Sequence, residues 1–277
     1  MLGTRHVVRN AAWRGAALVR RARFMAWSLP RTPREMASAL RLLGAYRRRG
    51  WFTSVAAGMA RDRDGGPLPL LTYPAIDWLD SVLAPEDRVF EYGMGGSTLW
   101  FAKRVAHVTS VDHNREWVES LRLPRNVTGR VVSCAGDLLN AAPDDPYVRA
   151  IDDDGVRYDV VLIDAMARLS CVPAADRALT PTGLIIFDNS DKPDNAVARE
   201  RLAEWGYARI DFCGTRPVSA FLGSTSVYSK AMDLWLRRAR APRYWGRSIE
   251  EYRPLSGPST PLQRTAAPPR DSRAPRG

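Results

Sequence analysis

Glu91, Asp112, Asp164, Asp188 and Asn189 stand within or at the ends of short apolar runs, and glycines crowd behind the first of them. Gly93-Met94-Gly95-Gly96 lets the backbone turn sharply with no Cβ in the way, and Ser97 and Thr98 can cap a helix behind it. The free amides of that helix start point at whatever lies over the turn, and Asp112 can accept both hydroxyls of a ribose. Together they describe a nucleoside site. Asp164, Asp188 and Asn189 add hard oxygen ligands suited to Mg2+, which would orient two substrate oxygens and stabilise an alkoxide or phenolate. A second reading of Asp188-Asn189-Ser190-Asp191 is a turn rich in Asx contacts.

Strands are needed to bring these residues together. Arg88-Val89-Phe90-Glu91-Tyr92 reads as a short strand, a helix follows over Leu99 to Val105, and His107 to Val111 reads as a second strand. Arg130 to Ser133 is the expected third. Tyr158 to Asp164 and Gly183 to Asn189 are near-continuous apolar runs ending in acids, the pattern of parallel strands buried on both faces. Ile210-Asp211-Phe212 and Ser224 to Tyr228 complete the set. Ligands of open α/β sheets bind where the strands end, so the acids are expected to converge there.

The turn also discriminates between cofactors. A dinucleotide fingerprint, G-x-G-x-x-G, has no acid ahead of it, because a carboxylate would repel the pyrophosphate on the helix N-terminus. Here Glu91 precedes Gly93 and Thr98 stands where the third glycine would be, so a phosphate-free cation fits better. Glu91, Gly93, Gly95, Gly96 and Asp112 resemble the first motifs of class I S-adenosylmethionine-dependent methyltransferases, and the resemblance runs from about Leu71 to Tyr228. It implies a doubly wound α/β fold with seven mainly parallel strands, the last antiparallel. It assigns Glu91 and the Gly93 to Gly96 turn to the methionine half of S-adenosylmethionine, and Ser97 and Thr98, at the helix start, are counted with the cofactor-binding residues. Asp112 falls to the ribose and Asp137 to the adenine amino group, while His113, directly after Asp112, is read either as structural or as lining the adenosine pocket.

Asp164, Asp188 and Asn189 are similar to the metal set of caffeoyl-CoA and catechol O-methyltransferases, which implies Mg2+ and methylation of a hydroxyl on a small-molecule acceptor. One departure matters: Arg168 stands shortly after Asp164, where those enzymes carry a lysine base, and arginine stays protonated. Lys192, Asp191 and a metal-bound hydroxide stay open as bases; without a metal, Asp164 itself could serve, or hold the methionine amino group.

A chain of 277 residues suits one catalytic domain with flanking segments. The expected division is a basic helical N-terminal extension over 1–66, the cofactor-binding domain over 67–230, and a basic helix from Trp235 to Tyr252 with a disordered tail from Arg253 within 231–277. The net charge of +11 resides in the flanks while the centre is acidic, which argues against a nucleic-acid partner, whose phosphates would dock beside the site. The three cysteines form no C-x-x-C pair and the three histidines are scattered, so neither a disulfide framework nor a zinc cluster is suggested, and a reducing, cytoplasmic compartment is expected. No apolar run is long enough to span a membrane.

In the N-terminal extension, Val7, Val8, Leu18, Val19, Met25 and Leu29 would share one helix side, with arginines opposite. This is either a peripheral contact with an anionic membrane or an accessory helix packed on the core. Smaller readings are a loop at Asn126-Val127-Thr128, a solvated loop over Asp144 to Asp154, a surface loop or acceptor rim at Arg216-Pro217, and Tyr73 as either a cofactor lid or a core aromatic. Two rival functions remain: an NAD-dependent oxidoreductase, and a non-catalytic Rossmann-like protein that meets a membrane or partner through its basic flanks.

Overall fold

The computed structural model describes residues 29–135 and 141–241. The chain runs through α1 (Pro33–Arg48), α2 (Trp51–Ala57), α3 (Tyr73–Val82), β1 (Arg88–Tyr92), α4 (Gly96–Phe101), β2 (His107–Asp112), α5 (Arg115–Ser120), β3 (Val127–Val131), α6 (Pro146–Arg149), β4 (Tyr158–Ile163), α7 (Arg168–Ala178), β5 (Leu179–Asp188), α8 (Ala196–Glu204), β6 (Ala208–Arg216), β7 (Ser219–Ser229) and α9 (Met232–Arg238). The strands form a seven-stranded sheet in the order β3-β2-β1-β4-β5-β7-β6. Neighbours from β3 to β5 pair in parallel, and β7 runs antiparallel between β5 and β6. This is the doubly wound, Rossmann-like methyltransferase arrangement expected from the sequence.

The strand register explains why the central runs are continuously apolar. Phe90, Tyr92, Val161, Ile163, Ile185 and Phe187 point to one face and pack with Tyr147, Cys171 and Val172. Val89, Val160, Leu162, Leu184 and Ile186 point to the other and pack with Leu79, Trp100, Phe101 and Trp235. Each large side chain so buried contributes about 2 kcal/mol, and an alternating strand could supply only one face. The strand order reverses between β1 and β4, so the crevice of the fold opens beyond Tyr92 and Ile163.

Several local expectations are corrected. The third strand is Val127–Val131, not Arg130 to Ser133, so the expected loop at Asn126 to Thr128 largely belongs to it: β2 pairs Val108 with Val127 and Thr109 with Thr128. The helix after the glycine turn starts at Gly96, with Gly95 as N-cap. Ser97 and Thr98 therefore lie in its first turn, and the Thr98 hydroxyl accepts from the Gly95 amide at 2.9 Å. Asp144 to Asp154 is not a wholly solvated loop, because α6 and the 3-10 turn Ala150–Asp152 bury Tyr147, Val148 and Ile151 in the core. Asp145 caps this segment by accepting from the Tyr147 amide at 2.8 Å.

Tyr73 is a core aromatic. It is buried, the Arg49 guanidinium lies 4.5 Å above its ring, and burial pushes its hydroxyl up to about 12. Helix α1 carries a full capping box, Thr32 with Glu35, yet buries no residue. The positions from Val7 to Met25, Asp137, and the tail from Arg253 lie outside the described residues. Among the described residues no helix is long and apolar enough to cross a membrane.

Candidate functional site

A cavity of about 500 Å3 opens at the C-terminal edge of β1, β2 and β4. The turn from Gly93 to Ser97 forms its floor, with Asp112 and Trp117 on one side and Asp164 and Val218 on the other. Its volume lies within the range of small-molecule sites. Gly93 is required for the shape: its φ is +98°, and a Cβ there would lie 2.5 Å from the Asp164 carbonyl oxygen. Tyr92 does not intrude, since its ring packs on Tyr147 and its hydroxyl donates to the Val148 carbonyl at 2.6 Å.

Asp112 is fixed from behind. Its Oδ2 accepts from the Met94 amide at 3.1 Å and its Oδ1 from the Asn114 amide at 2.8 Å, which ties the end of β2 to the glycine turn. His113 stands beside it, Nδ1 to Oδ1 3.4 Å, but is largely exposed and does not line the cavity. Trp117 was not anticipated. Asn114 caps α5 by accepting from the Trp117 amide, and the indole donates to the Met94 carbonyl at 2.6 Å, which stands the ring as a flat apolar wall. The sequence signal was no more than an aromatic in the first turn of a helix that follows Asp112.

Glu91 lies behind the turn and not within the cavity. It is fully buried, accepts from the hydroxyls of Thr98 and Ser110, and leaves Oε1 without a partner. Burial pushes its carboxyl up to about 7, against the pull of the neighbouring hydroxyls. Thr98 is buried with it, so of the two hydroxyl residues after the glycines only Ser97 reaches the cavity. Glu91 and Thr98, expected to contact the cofactor, thus lie beneath the turn and outside the residues that line the cavity.

The outer wall was also missed. Met59, Arg61 and Leu68, partly within the segment expected as an extension, line the cavity, with Leu68 resting against the turn. The Asp62 carboxylate accepts from the Asp64 and Gly66 amides at 2.9 and 2.7 Å, and Arg61 pairs with Pro67 across the loop. The Leu68 carbonyl rests so close to Gly96 that a Cβ there would be 2.5 Å away.

Asp164 lines the cavity, whereas Asp188, Asn189 and Lys192 do not. Arg168 Nη2 donates to Asp164 Oδ1 at 2.6 Å and to Asn189 Oδ1 at 2.9 Å. Asp188 is buried, accepts from Thr225 Oγ1 at 2.7 Å, and lies 3.4 Å from Arg216 Nη1. Burial, helped by the Asp164 charge, lifts its carboxyl to about 6 against the two arginines. Arg216 is thus a half-buried partner of Asp188 rather than part of a surface loop. The three residues expected to bind Mg2+ are neighbours, but the arrangement does not fit a divalent ion, because a guanidinium bridges two of them and a second faces the third. Among the described residues no cluster of three His, Cys, Asp or Glu side chains could hold a metal. Lys192 is exposed and is not among the residues that line the cavity.

The fold is a Rossmann-like sheet in the order β3-β2-β1-β4-β5-β7-β6, with a cavity of small-molecule size at its switch point. The chain matches no protein-family model and no curated protein sequence. Similar solved structures include precorrin-6y C5,15-methyltransferase from Geobacter metallireducens, at 16% identity over 64% of this chain and 96% of that one, with a TM-score of 0.45. A methyltransferase-like protein from Silicibacter pomeroyi shares 22% identity over 62% and 96% of the two chains, at 0.40. The O-methyltransferase TomG from Streptomyces achromogenes, solved with S-adenosylmethionine, shares 18% over 52% and 73%, at 0.40. Likenesses of this degree say nothing of activity.

Proposed function

We propose that this protein is an S-adenosylmethionine-dependent methyltransferase that methylates a hydroxyl of a small-molecule acceptor. The observation that carries the reading is Asp112, a carboxylate anchored on the glycine turn at the edge of the cavity, with Asp164 as the other acid that lines it. Bound S-adenosylmethionine would supply a methyl group on a sulfonium, a good leaving group. Asp112 would accept the ribose hydroxyls, and Trp117 would give the base an apolar face. Asp164, at the opposite side, would hold the ammonium or the acceptor hydroxyl in line with the methyl group, where positioning supplies much of the rate. Once ionised, above about pH 7, the buried Glu91 adds negative potential beneath the turn, which favours a cationic ligand over a dinucleotide phosphate.

Calorimetric titration of S-adenosylmethionine into wild type and Asp112→Ala tests this. Loss of two charge-assisted hydrogen bonds to the ribose should weaken binding by about 2 to 3 kcal/mol. Equal, negligible binding by both proteins would defeat the reading, and a fluorescence change on mixing with NADH would favour an oxidoreductase.

A second reading concerns partners, because α1 exposes Met36, Leu40 and Leu43 along one side and carries Arg34, Arg41 and Arg48 on another. We propose that this helix lies on an anionic lipid surface, whose charge complements the arginines. Sedimentation with vesicles containing anionic lipid should fall for Leu40→Glu/Leu43→Glu; unchanged partitioning removes the idea.

A further inference from the structure

Arg168 opens α7, four residues beyond Asp164, and its side chain is only 14% exposed. One nitrogen, Nη2, serves both Asp164 Oδ1 and Asn189 Oδ1, while Nε is buried without a hydrogen-bond partner. Asn189 is held for this contact: its backbone adopts φ +58°, and its carbonyl accepts from the Asn195 carboxamide at 2.8 Å and the Lys192 amide at 3.1 Å. Asp188 is engaged separately by Thr225 and Arg216. Every oxygen-bearing group of the trio therefore already meets a donor, and the charges of Asp164 and Asp188 are balanced by two permanent cations.

We propose that the Arg168 guanidinium takes the place of a divalent ion among Asp164, Asn189 and Asp188, so that the site positions Asp164 toward the cavity without metal. The exclusion is steric and electrostatic. Mg2+ requires close, near-octahedral oxygens, and the volume beside Asp164 Oδ1 is filled by a nitrogen at hydrogen-bond distance. A divalent ion placed there would also face a fixed positive charge at contact distance in a partly buried site, where repulsion is poorly screened. Arg168 is in this sense a positioning residue: it sets the orientation of a carboxylate that lines the cavity and does not itself line it. The inference rests on the methyltransferase reading only in what it implies for the reaction.

The test is a titration of the full-length protein with Mn2+ followed by electron paramagnetic resonance, in wild type, Arg168→Ala and Arg168→Lys. Wild type and Arg168→Lys should leave the ion free. Arg168→Ala, relieved of the charge, should bind it at least about tenfold more tightly, and Asp164→Asn added to that variant should abolish the gain. Arg168→Met keeps the apolar stem and replaces the alanine variant if that one does not fold. Stoichiometric Mn2+ binding by wild type that Asp164→Asn removes would overturn the proposal, as would an Arg168→Ala or Arg168→Met protein indistinguishable from wild type. Calorimetry of wild type with S-adenosylhomocysteine, run alongside, reports separately on the cofactor: no binding there, with the Mn2+ pattern intact, ends the methyltransferase reading and leaves the cation substitution standing.

Discussion

Replacing Glu91 with glutamine should change how stability depends on pH, and by an amount that follows from the site. Glu91 is fully buried beneath the glycine turn, and its carboxyl is raised from 4.5 to about 7 by that burial. At about 1.4 kcal/mol per pH unit, the difference is worth about 3 kcal/mol. Its sign is fixed by linkage: the folded protein binds the Glu91 proton more tightly than the unfolded chain, so the contribution is complete below pH 4.5 and is lost as pH rises through about 7. Glutamine has no proton to lose and keeps the shape. Urea denaturation of both proteins at intervals from pH 5 to pH 8 should therefore give curves that diverge, wild type losing up to about 3 kcal/mol relative to Glu91→Gln as the pH rises. Subtracting one curve from the other cancels every other titrating group. Parallel curves across this interval would refute the claim that Glu91 is desolvated under the turn, and with it the account of why that carboxylate supports the cavity from behind.

Two further substitutions probe the cavity walls. Gly96→Ala places a Cβ against the Leu68 carbonyl and should cost about 2 kcal/mol by denaturant melting, with weaker S-adenosylmethionine binding; an unchanged midpoint would show that the outer loop does not rest on the turn. Val218, in the two-residue turn between β6 and β7, holds φ +69°, which is costly for a β-branched residue, so Val218→Gly should stabilise the protein by about 1 kcal/mol after glycine's entropy is counted. A lower midpoint in that variant would mean the valine side chain contributes more packing at the cavity rim than its backbone costs.

What was legible in the sequence followed burial. β1, β4 and the end of β5 lie under helices on both faces, so their residues read as apolar runs with acids at the end, and Asp112, Asp164 and the glycine turn were placed correctly at one edge. The edge strand β3, Val127–Val131, contains Thr128, Gly129 and Arg130 and is only partly buried. Its backbone pairing with β2 decides the structure, and no side-chain pattern announces it. Glu91 and Thr98 were assigned to the ligand because their spacing was right, but spacing does not reveal which way a strand residue faces relative to the turn that follows. The metal set shows a similar limit: Asp164, Asp188 and Asn189 do come together, while the residue that meets two of them, Arg168, reads in sequence only as a missing base. Met59, Arg61 and Leu68 carry no code because their role depends on where a loop folds back.

The wall formed by Met59, Arg61 and Leu68 comes from chain that precedes the first strand and contributes nothing to the sheet. It meets the floor of the cavity through a backbone carbonyl resting on Gly96, a contact that needs a glycine on one side and is indifferent to the Leu68 side chain on the other. The entrance can therefore be rewritten by evolution, in length and in chemistry, while the strands and the floor are inherited intact. Differences in what this cavity admits among relatives of this scaffold should be sought first in this leading segment.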